Sequence, residues 1–260
     1  KLVIKILPPN WAYQATAEVE SLANLTAQLS LEIPKLIAAG QVNNWRYVVM
    51  TWLEGTCLDE FWDGLTHSNK ETIVRQIGEF CRALHERPIN PNSELKVDWE
   101  DYQQRLISEC IDRHRRANVP PHLVEQIMPY LDATPSYFDD GVTLNIHMDL
   151  HPGNLMGRNT ENSFSLTGAI DFGDSIIGRS RLLELATPII FLCQGDRQLV
   201  NGLLESYAQL PPQQEQELSR KLMAVVLIRP DCNLNYVMQQ VPVTGPRESW
   251  KQIAAQLFPL

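Results

Sequence analysis

The order of hydrophobic and polar positions predicts a short β-rich segment followed by a long, mainly helical one. Residues 1–7 are apolar apart from Lys1 and Lys5, which is typical of a strand with a lysine at its centre. Residues 45–55 predict a second strand that ends at a glycine. Between the two strands, residues 17–29 carry leucines at helical spacing, at Leu22, Leu25 and Leu29.

Beyond Gly55 the spacing of apolar positions becomes mainly helical. Residues 71–86 place one apolar face along a predicted helix, which consists of Ile73, Val74, Ile77, Phe80, Cys81 and Leu84. Further helices are predicted over residues 99–115, 122–131, 181–192, 197–208 and 213–228. The proline pairs at 120–121 and 211–212 separate several of these helices. The chain contains no internal repeat or low-complexity tract.

A β-hairpin is predicted between residues 155 and 170. The apolar pair Leu155-Met156 is followed by the polar stretch 157–162 and then by the β-like run 164–170. A hairpin brings its two ends together. We therefore expect Asn154, which enters the hairpin, and Asp171, which leaves it, to lie close together.

Two motifs flank this hairpin, H-M-D-L-H-P-G-N at residues 147–154 and I-D-F-G-D at residues 170–174. The catalytic loop of protein kinases reads H-R-D-L-x-x-x-N, and their metal loop reads D-F-G. Phosphoryl transfer requires positive charge on the phosphoryl oxygens, which Mg²⁺ supplies when oxygen ligands hold it. Asn154 and Asp171 carry side-chain oxygens that fit two ligands of one Mg²⁺ site, which the hairpin would bring together. Asp149 fits a base that orients an acceptor hydroxyl and takes its proton.

Two other interpretations of these residues stay open. Asp and Asn frequently cap turns, so each motif alone is compatible with a purely structural role. His147, Asp149 and His151 are also compatible with a zinc site of the metallohydrolase type. A zinc site leaves Asn154 and the D-F-G motif without a function.

The strings H-M-D-L-H-P-G-N-L-M and G-A-I-D-F-G-D resemble the aminoglycoside phosphotransferase and choline kinase family, and the resemblance covers residues 1 to about 185. It implies an α+β, bilobal protein-kinase-like fold. A small β-rich N-lobe with the nucleotide-binding strand, a helix and the hinge would comprise residues 1–54. A larger, mainly helical C-lobe with the catalytic loop, metal loop and acceptor site would comprise residues 55–260. Two strands and a Gly-rich loop are expected upstream of Lys1.

Two departures from the protein-kinase pattern favour a small-molecule acceptor. His151 stands where protein kinases usually carry a lysine. Protein kinases also need a long activation segment between D-F-G and A-P-E. Only residues 174–180 separate the D-F-G motif from the next predicted helix, which leaves no platform for a peptide.

The family resemblance also implies roles for the motif residues. Asp149 would be the catalytic base, and Asn154 and Asp171 would be the metal ligands. His147 would brace the catalytic loop. His151 would either contact the transferring phosphate or only shape the loop.

Two carboxylates close to the motifs are expected to act differently. Asp174 is expected to cap or brace the metal loop without binding the metal. Glu184 stands where the family often carries an aspartate. It would either brace the catalytic region or lie on a solvated helix face.

The nucleotide site is expected in the first 54 residues. Val3-Ile4-Lys5 resembles the kinase strand whose lysine reaches the α- and β-phosphates, although a solvent-facing lysine on an edge strand is the alternative. The family pattern E-x-x-x-L-x-x-L selects Glu18 as the partner of Lys5. Glu20 is the second candidate, and one of the two glutamates is expected to be merely solvated.

The strand at residues 45–55 resembles the hinge between the two lobes of the family. Its backbone near Thr51 and Leu53 would hydrogen bond to the adenine. Met50 would line the adenine pocket, unless it only fills the core as methionines often do.

Charge and composition narrow the classes of partner and compartment. The chain has 260 residues, is 44% hydrophobic and has a formal charge of −9, which argues against nucleic-acid binding and would suit a cationic substrate. No apolar run is long enough to span a bilayer, and no signal peptide is evident. Five cysteines without C-x-x-C spacing fit reduced, mostly buried thiols in the cytoplasm. Acidic clusters that either recognise the substrate or only keep the protein soluble are Asp59, Glu60 and Asp63, and Asp98, Glu100 and Asp101.

These features together predict a Mg²⁺-dependent kinase that transfers a phosphoryl group from ATP or GTP to a small-molecule hydroxyl. An aminoglycoside-like antibiotic is the leading acceptor, and a metabolite such as choline, homoserine or a sugar is the alternative. A catalytically inactive, ligand-binding relative is the competing hypothesis, and the presence of Asp149, Asn154 and Asp171 disfavours it. The sequence does not indicate the oligomeric state.

Overall fold

The computed structural model describes residues 1–25, 29–134, 136–160, 163–208, 210, 215–230, 232–241 and 245–260. The strands are β1 (Leu2–Leu7), β2 (Leu36–Val42), β3 (Trp45–Thr51), β4 (Thr56–Cys57), β5 (Leu144–Ile146), β6 (Leu155–Thr160), β7 (Ser163–Ala169) and β8 (Ile176–Gly178). The helices are α1 (Ala12–Asn24), α2 (His67–His85), α3 (Trp99–Arg116), α4 (Pro121–Val124), α5 (Ile127–Asp132), α6 (Arg181–Pro188), α7 (Arg197–Tyr207), α8 (Glu215–Ile228), α9 (Leu234–Gln240) and α10 (Trp250–Leu257). Together they form a small sheet lobe and a larger helical lobe, as predicted.

The small lobe is built on an antiparallel sheet in the order β1-β3-β2. Both predicted strands are present, and Lys5 pairs with Val48 across them. The sequence did not predict β2, because Ala38, Ala39 and Gly40 dilute the hydrophobic alternation of this edge strand. The predicted boundary between residues 54 and 55 stays a prediction.

Helix α1 follows β1 closely and begins earlier than its leucine spacing suggests. Leu22 is fully buried, and Leu25 is the C-cap residue that directly follows the helix. Residues 26–28 lie outside the described part of the chain, and Leu29 packs against the core beyond the helix. The buried residues of the helix run from Ala15 to Leu22, so it packs against the lobe along most of its length.

The predicted hairpin is present and joins the two motifs. Strands β6 and β7 pair antiparallel from Leu155↔Ala169 onward, and β4 pairs with the outer side of β6. The Ile170 N–H donates to the Asn154 carbonyl over 2.9 Å, so the ladder continues to the ends of both motifs. The turn residues 161 and 162 lie outside the described part of the chain.

The helical lobe is organised around α8, whose residues 222–228 are all buried. A helix that is apolar on all sides is expected at the centre of a domain. Nearby, α2 and α7 approach each other closely at Gly78, where an added Cβ would lie 2.3 Å from the Leu203 carbonyl oxygen. The helical lobe is therefore tightly packed at its centre and where α2 meets α7.

Prolines break two of the predicted helices. The predicted helix 122–131 is divided into α4 and α5, because the ring of Pro129 clashes with a continuous helix at the carbonyl of residue 125. The predicted helix 181–192 is α-helical only to Pro188 and continues as a π-helical turn, Ile189–Cys193. The predicted helix 197–208 is confirmed as α7, and 213–228 as α8 from Glu215 on. The sequence did not predict the short helices α9 and α10.

Two further observations bear on the predicted setting of the protein. Among the described residues, no helix has the length and apolar character that crossing a membrane requires. All five cysteines are free thiols; four are buried and Cys57 is partly buried, as the composition predicted.

Candidate active site

Lys5 connects the small lobe to the metal loop. Its Nζ donates to Glu18 Oε2 over 2.8 Å and to Asp171 Oδ1 over 2.5 Å. Burial lowers the pKa of Lys5, but the charges of both carboxylates outweigh it and raise the pKa above its usual value. Burial raises the pKa of Glu18, and Lys5 opposes this rise. The structure therefore pairs Lys5 with Glu18, the partner that the sequence selected.

Glu20 is not the solvated charge that the sequence analysis expected. Its carboxylate accepts hydrogen bonds from the Ser93 hydroxyl and from the Glu94 N–H, the latter over 3.1 Å. Asp174 braces the other side of α1, because its Oδ1 accepts from Tyr13 and Gln14, each over 2.9 Å. Helix α1 is thus attached to the metal loop and to the segment that follows α2.

His147 braces the catalytic loop with both of its ring nitrogens. Nε2 lies 3.1 Å from the Ile170 carbonyl oxygen, and Nδ1 accepts from the Asp149 N–H over 3.3 Å. Burial lowers the pKa of His147, which favours the neutral ring. Since neither nitrogen is free to bind a metal, this geometry argues against the zinc interpretation. Among the described residues, no group of three or more His, Cys, Asp and Glu side chains is arranged to hold a metal ion.

The two motifs each contain a non-glycine residue with left-handed backbone. Met148 has φ +75° and Asp171 has φ +64°. Such conformations are disfavoured for side chains with a Cβ and persist only where surrounding contacts enforce them. They occur here directly before Asp149 and at the predicted metal ligand itself.

The Asp149 carboxylate is held from two sides within its loop. Asn154 Nδ2 donates to Asp149 Oδ2 over 3.1 Å and to the Asp149 carbonyl over 2.9 Å. His151 Nε2 lies 3.4 Å from Asp149 Oδ2, and its Nδ1 accepts from the Gly153 N–H. Burial raises the pKa of Asp149, but the hydrogen bond and charge of His151 and the charge of Arg229 hold it below its usual value. The hydrogen bond to Asp149 raises the pKa of His151.

The residues expected to hold magnesium are suitably placed for it. The hairpin ladder puts Asn154 beside Ile170, the residue before Asp171. The Asp171 side chain is 47% exposed, so its carboxylate can accept a hydrated cation. Both hydrogen bonds described for the Asn154 amide use Nδ2, which leaves Oδ1 as an oxygen donor. One carboxylate and one amide oxygen suit Mg²⁺, which keeps several waters and binds phosphate oxygens.

Glu184 is buried and does not lie on a solvated helix face. Its Oε2 accepts from the His147 N–H over 2.6 Å and lies 4.0 Å from His85 Nε2. On the far side of that ring, His85 Nδ1 and the Tyr207 hydroxyl oxygen are 2.7 Å apart. Burial raises the pKa of Glu184 to about 7. Burial and the charge of Arg181 lower the pKa of His85 to about 3. This buried chain of polar groups fixes the start of the catalytic loop.

The pKa of Glu184 predicts a pH-dependent contribution to stability. Because the folded protein binds this proton more tightly than the unfolded chain does, Glu184 stabilises the fold below about pH 4.5, and the contribution is lost as the pH rises to about 7. The free energy of unfolding of wild type minus that of Glu184→Gln should therefore fall by on the order of 3 kcal/mol over this range. Urea denaturation between pH 4.5 and 8 measures it. A difference that does not change with pH contradicts the assignment.

A cavity of about 490 Å³ opens in front of Asp149 and His151. Asp59 and Asp63 from the first acidic cluster line it, together with apolar and aromatic side chains that include Phe191 and Tyr236. The second cluster has a structural role, because Asp98 caps α3 by accepting from the Asp101 N–H. The cavity therefore combines carboxylates with apolar surface.

The backbone N–H groups at the predicted adenine contacts differ in whether they are already hydrogen bonded. The Thr51 N–H donates to the Lys35 carbonyl over 3.0 Å, and the Trp52 N–H donates to the Lys1 carbonyl over 3.2 Å. Met50 is 6% exposed and packs in the core. Among the residues that the structure describes, no backbone acceptor pairs with the Leu53 N–H. Of the predicted adenine contacts, Leu53 is thus the position with an available N–H.

Arg229 belongs to this site, and sequence reasoning missed it. Its Nη2 lies 3.8 Å from Asp149 Oδ1, and the side chain lines the cavity. In the sequence it is only the first polar residue after an apolar helical run, about 80 positions from Asp149. No local motif marks it, so only the tertiary fold could bring it to notice.

Comparison with known sequences identifies one family. The sequence model described as "Phosphotransferase enzyme family" matches residues 1–213. No protein of curated function matches the chain.

Several solved structures share the fold at low sequence identity. The GDP and kanamycin complex of APH(2")-IIia is 19% identical with a TM-score of 0.69, and the match covers 92% of this chain and 84% of that one. The streptomycin-ATP-APH(2")-IIa ternary complex is 18% identical with a TM-score of 0.62, covering 86% and 76%. The aminoglycoside phosphotransferase APH(3'')-Id from Streptomyces rimosus, with ADP and streptomycin, is 16% identical with a TM-score of 0.59, covering 87% and 86%. At these identities the likeness establishes the fold.

Proposed function

The chain belongs to the phosphotransferase enzyme family, and we propose that it transfers the γ-phosphate of ATP or GTP to a hydroxyl of a small molecule. One observation carries the proposal. Lys5 joins Glu18 to Asp171, and the hairpin joins Asp171 to the loop that presents Asp149 to a cavity. This is the arrangement that phosphoryl transfer needs, with a phosphate-binding cation, a metal ligand and an acceptor base around one space.

In this proposal the small lobe holds the nucleotide. Lys5 binds the α- and β-phosphates, and the buried Glu18 holds its ammonium in place. The Leu53 N–H binds the adenine at the hinge, where Thr51 ends the sheet. Met50 supports the pocket from the core.

Asp171 and Asn154 are proposed to hold Mg²⁺. Bound there, the ion neutralises negative charge on the phosphate oxygens during transfer. The protein's own part is to orient these ligands. Asn154 is fixed by its two hydrogen bonds to Asp149, and Asp171 by the ion pair with Lys5.

Asp149 is proposed to orient the acceptor hydroxyl and accept its proton. Its lowered pKa keeps it ionised at neutral pH. His151 shapes the loop through the Gly153 N–H and keeps a polar hydrogen near the carboxylate. Both side chains face the cavity, so an alcohol bound there reaches Asp149 directly.

An aminoglycoside-like antibiotic is the first acceptor we propose. Solved neighbours of this fold are complexes with streptomycin and kanamycin. The acidic chain and the lining residues Asp59 and Asp63 suit a cationic acceptor. Phe191 and Tyr236 give the cavity apolar surface as well, so acceptors with fewer charges, such as choline, homoserine and sugars, belong in the test.

Magnesium-dependent nucleotide consumption tests the function. ATP and GTP would each be supplied with aminoglycosides, macrolides, choline, homoserine or sugars. We expect one acceptor class to stimulate turnover at least several-fold, and the phosphorylated product to be visible by mass spectrometry. Tight nucleotide binding with no turnover on any acceptor would point to an acceptor outside the panel. Absence of nucleotide binding would favour the catalytically inactive alternative.

A further inference from the structure

A guanidinium group stands beside Asp149, and it comes from a part of the chain that the family model does not match. That match ends at residue 213, whereas Arg229 directly follows α8. The Arg229 side chain is only 15% exposed. A nearly buried arginine needs acceptors for its donors, and its contacts show what it holds.

The end of α8 is fixed before the Arg229 side chain begins. The last carbonyls of a helix lack partners within the helix. Here two of them are satisfied by α3, because Arg113 donates to the Ile228 carbonyl over 2.8 Å and His114 Nε2 lies 2.7 Å from the Leu227 carbonyl. The Arg229 N–H itself donates to the Val225 carbonyl over 3.0 Å. The guanidinium therefore extends from a rigid point.

That guanidinium contacts the residue with the left-handed backbone. Arg229 Nη2 donates to the Met148 carbonyl, and Nη1 donates to the Thr187 hydroxyl. The Thr187 hydroxyl also donates to the Met148 carbonyl over 3.1 Å. Met148 has φ +75°, so these contacts hold the one peptide whose conformation determines how the chain enters Asp149.

We propose that Arg229 is a positioning residue for the predicted base, holding the Met148 peptide so that the Asp149 carboxylate faces the acceptor cavity. The inference rests on the proposed function. Arginine suits this task because its planar fork offers several donors in fixed directions, which lysine does not. The C-terminal region beyond residue 213 thereby contributes to the reaction as well as to the cavity wall.

Substitutions at Arg229 test the proposal in the full chain. Arg229→Ala should lower kcat by about 10²-fold, because a displacement of roughly 1 Å at the reacting group costs that much. The KM for ATP should stay unchanged, since Arg229 lies on the acceptor side. Arg229→Lys should recover only part of kcat. Arg220→Ala is the matched control, because Arg220 lies on α8 and donates instead to the Ala133 carbonyl.

Chemical rescue separates positioning from a general structural role. Added guanidinium ion, at concentrations below those that unfold the protein, should restore turnover of Arg229→Ala in a saturable way. It should not change turnover of the wild type or of Arg220→Ala. The acceptor in these assays is the member of the panel above with the highest turnover.

Hydrogen exchange tests the same proposal without any acceptor. The His151 N–H donates to the Asp149 carbonyl over 3.0 Å, and the Asp149 N–H donates to His147. Loss of a charged hydrogen bond to the loop should make both amides exchange about tenfold faster in Arg229→Ala than in the wild type. In Arg220→Ala both amides should exchange at the wild-type rate.

The outcomes distinguish this inference from the proposed function. If no acceptor supports Asp149-dependent turnover in the wild type, the proposed function fails, and hydrogen exchange alone decides the placement of the loop. If the wild type turns over and folded Arg229→Ala has full kcat, the Arg229 proposal is overturned while the function stands. Unchanged exchange of both amides in Arg229→Ala also overturns it.

Discussion

Replacing Asp149 with asparagine is expected to lower kcat by about 10²- to 10⁴-fold, the range that general-base catalysis contributes. Asparagine has nearly the same shape and can still accept the hydrogen bond from Asn154. It cannot take the proton of the acceptor hydroxyl. The affinity for nucleotide should stay unchanged, because Lys5 and Glu18 are untouched.

Steady-state kinetics with the acceptor that the panel identifies, together with calorimetric nucleotide binding, measures both quantities. Asp112→Asn is the control, since Asp112 is an exposed carboxylate on α3 that pairs with Arg115 at the surface. A kcat for Asp149→Asn within a few-fold of the wild type would mean that another group accepts the proton. His151, 3.4 Å away, would then be the next candidate.

Replacing Asp171 with asparagine is expected to reduce magnesium-dependent turnover by about 10³-fold or more, the scale that one positive charge on the transferring phosphoryl group is worth. Asparagine is chosen over alanine because it tolerates the left-handed backbone at this position, φ +64°. The loss can thus be assigned to the missing charge. The ion pair between Asp171 and Lys5 disappears as well, so nucleotide binding should also weaken.

A magnesium titration of turnover distinguishes a ligand from a structural residue. The wild type should saturate with Mg²⁺, whereas Asp171→Asn should need far higher concentrations or show no turnover. Asp174→Asn is the matched control, because Asp174 lies in the same loop and accepts from Tyr13 and Gln14. Equal magnesium dependence in wild type and Asp171→Asn would show that Asp171 does not bind the metal.

Local motifs predicted the centre of the site because its residues follow one another in the chain. The hairpin had to bring Asn154 and Asp171 together, since an antiparallel ladder fixes which residues meet. The pairing of Lys5 with Glu18 was also predicted, from a family pattern at short separation. Their roles in catalysis remain predictions that the experiments above decide.

Contacts between distant segments could not be predicted in the same way. Arg229 reaches Asp149 only because α8 crosses behind the catalytic loop and α3 holds its end. Glu20 and Glu184 were ambiguous for a similar reason. A charged residue on a helix gives no sign of whether it faces water or a backbone N–H of another segment. Both of these glutamates accept from such an N–H, exposed for Glu20 and buried for Glu184.

Helix lengths were overestimated where periodicity continued through a proline. Residues 122–131 and 181–192 keep apolar spacing beyond the point at which Pro129 and Pro188 remove a backbone donor. The π-helical turn after Pro188 has a functional consequence, because it carries Phe191 to the cavity wall. The spacing of apolar side chains shows which face of a helix is buried. It does not show where the backbone changes from α-helical to π-helical hydrogen bonding.

The left-handed conformation of Met148 also has an evolutionary consequence. A methionine at φ +75° costs the folded state of order 1–3 kcal/mol that glycine would not. Because the Met148 side chain is buried, replacing it with glycine would relieve that strain but leave a cavity, and cavities of this kind cost about 2–5 kcal/mol. Descendants of this chain should therefore keep a large apolar residue at this position, even where their acceptor has changed.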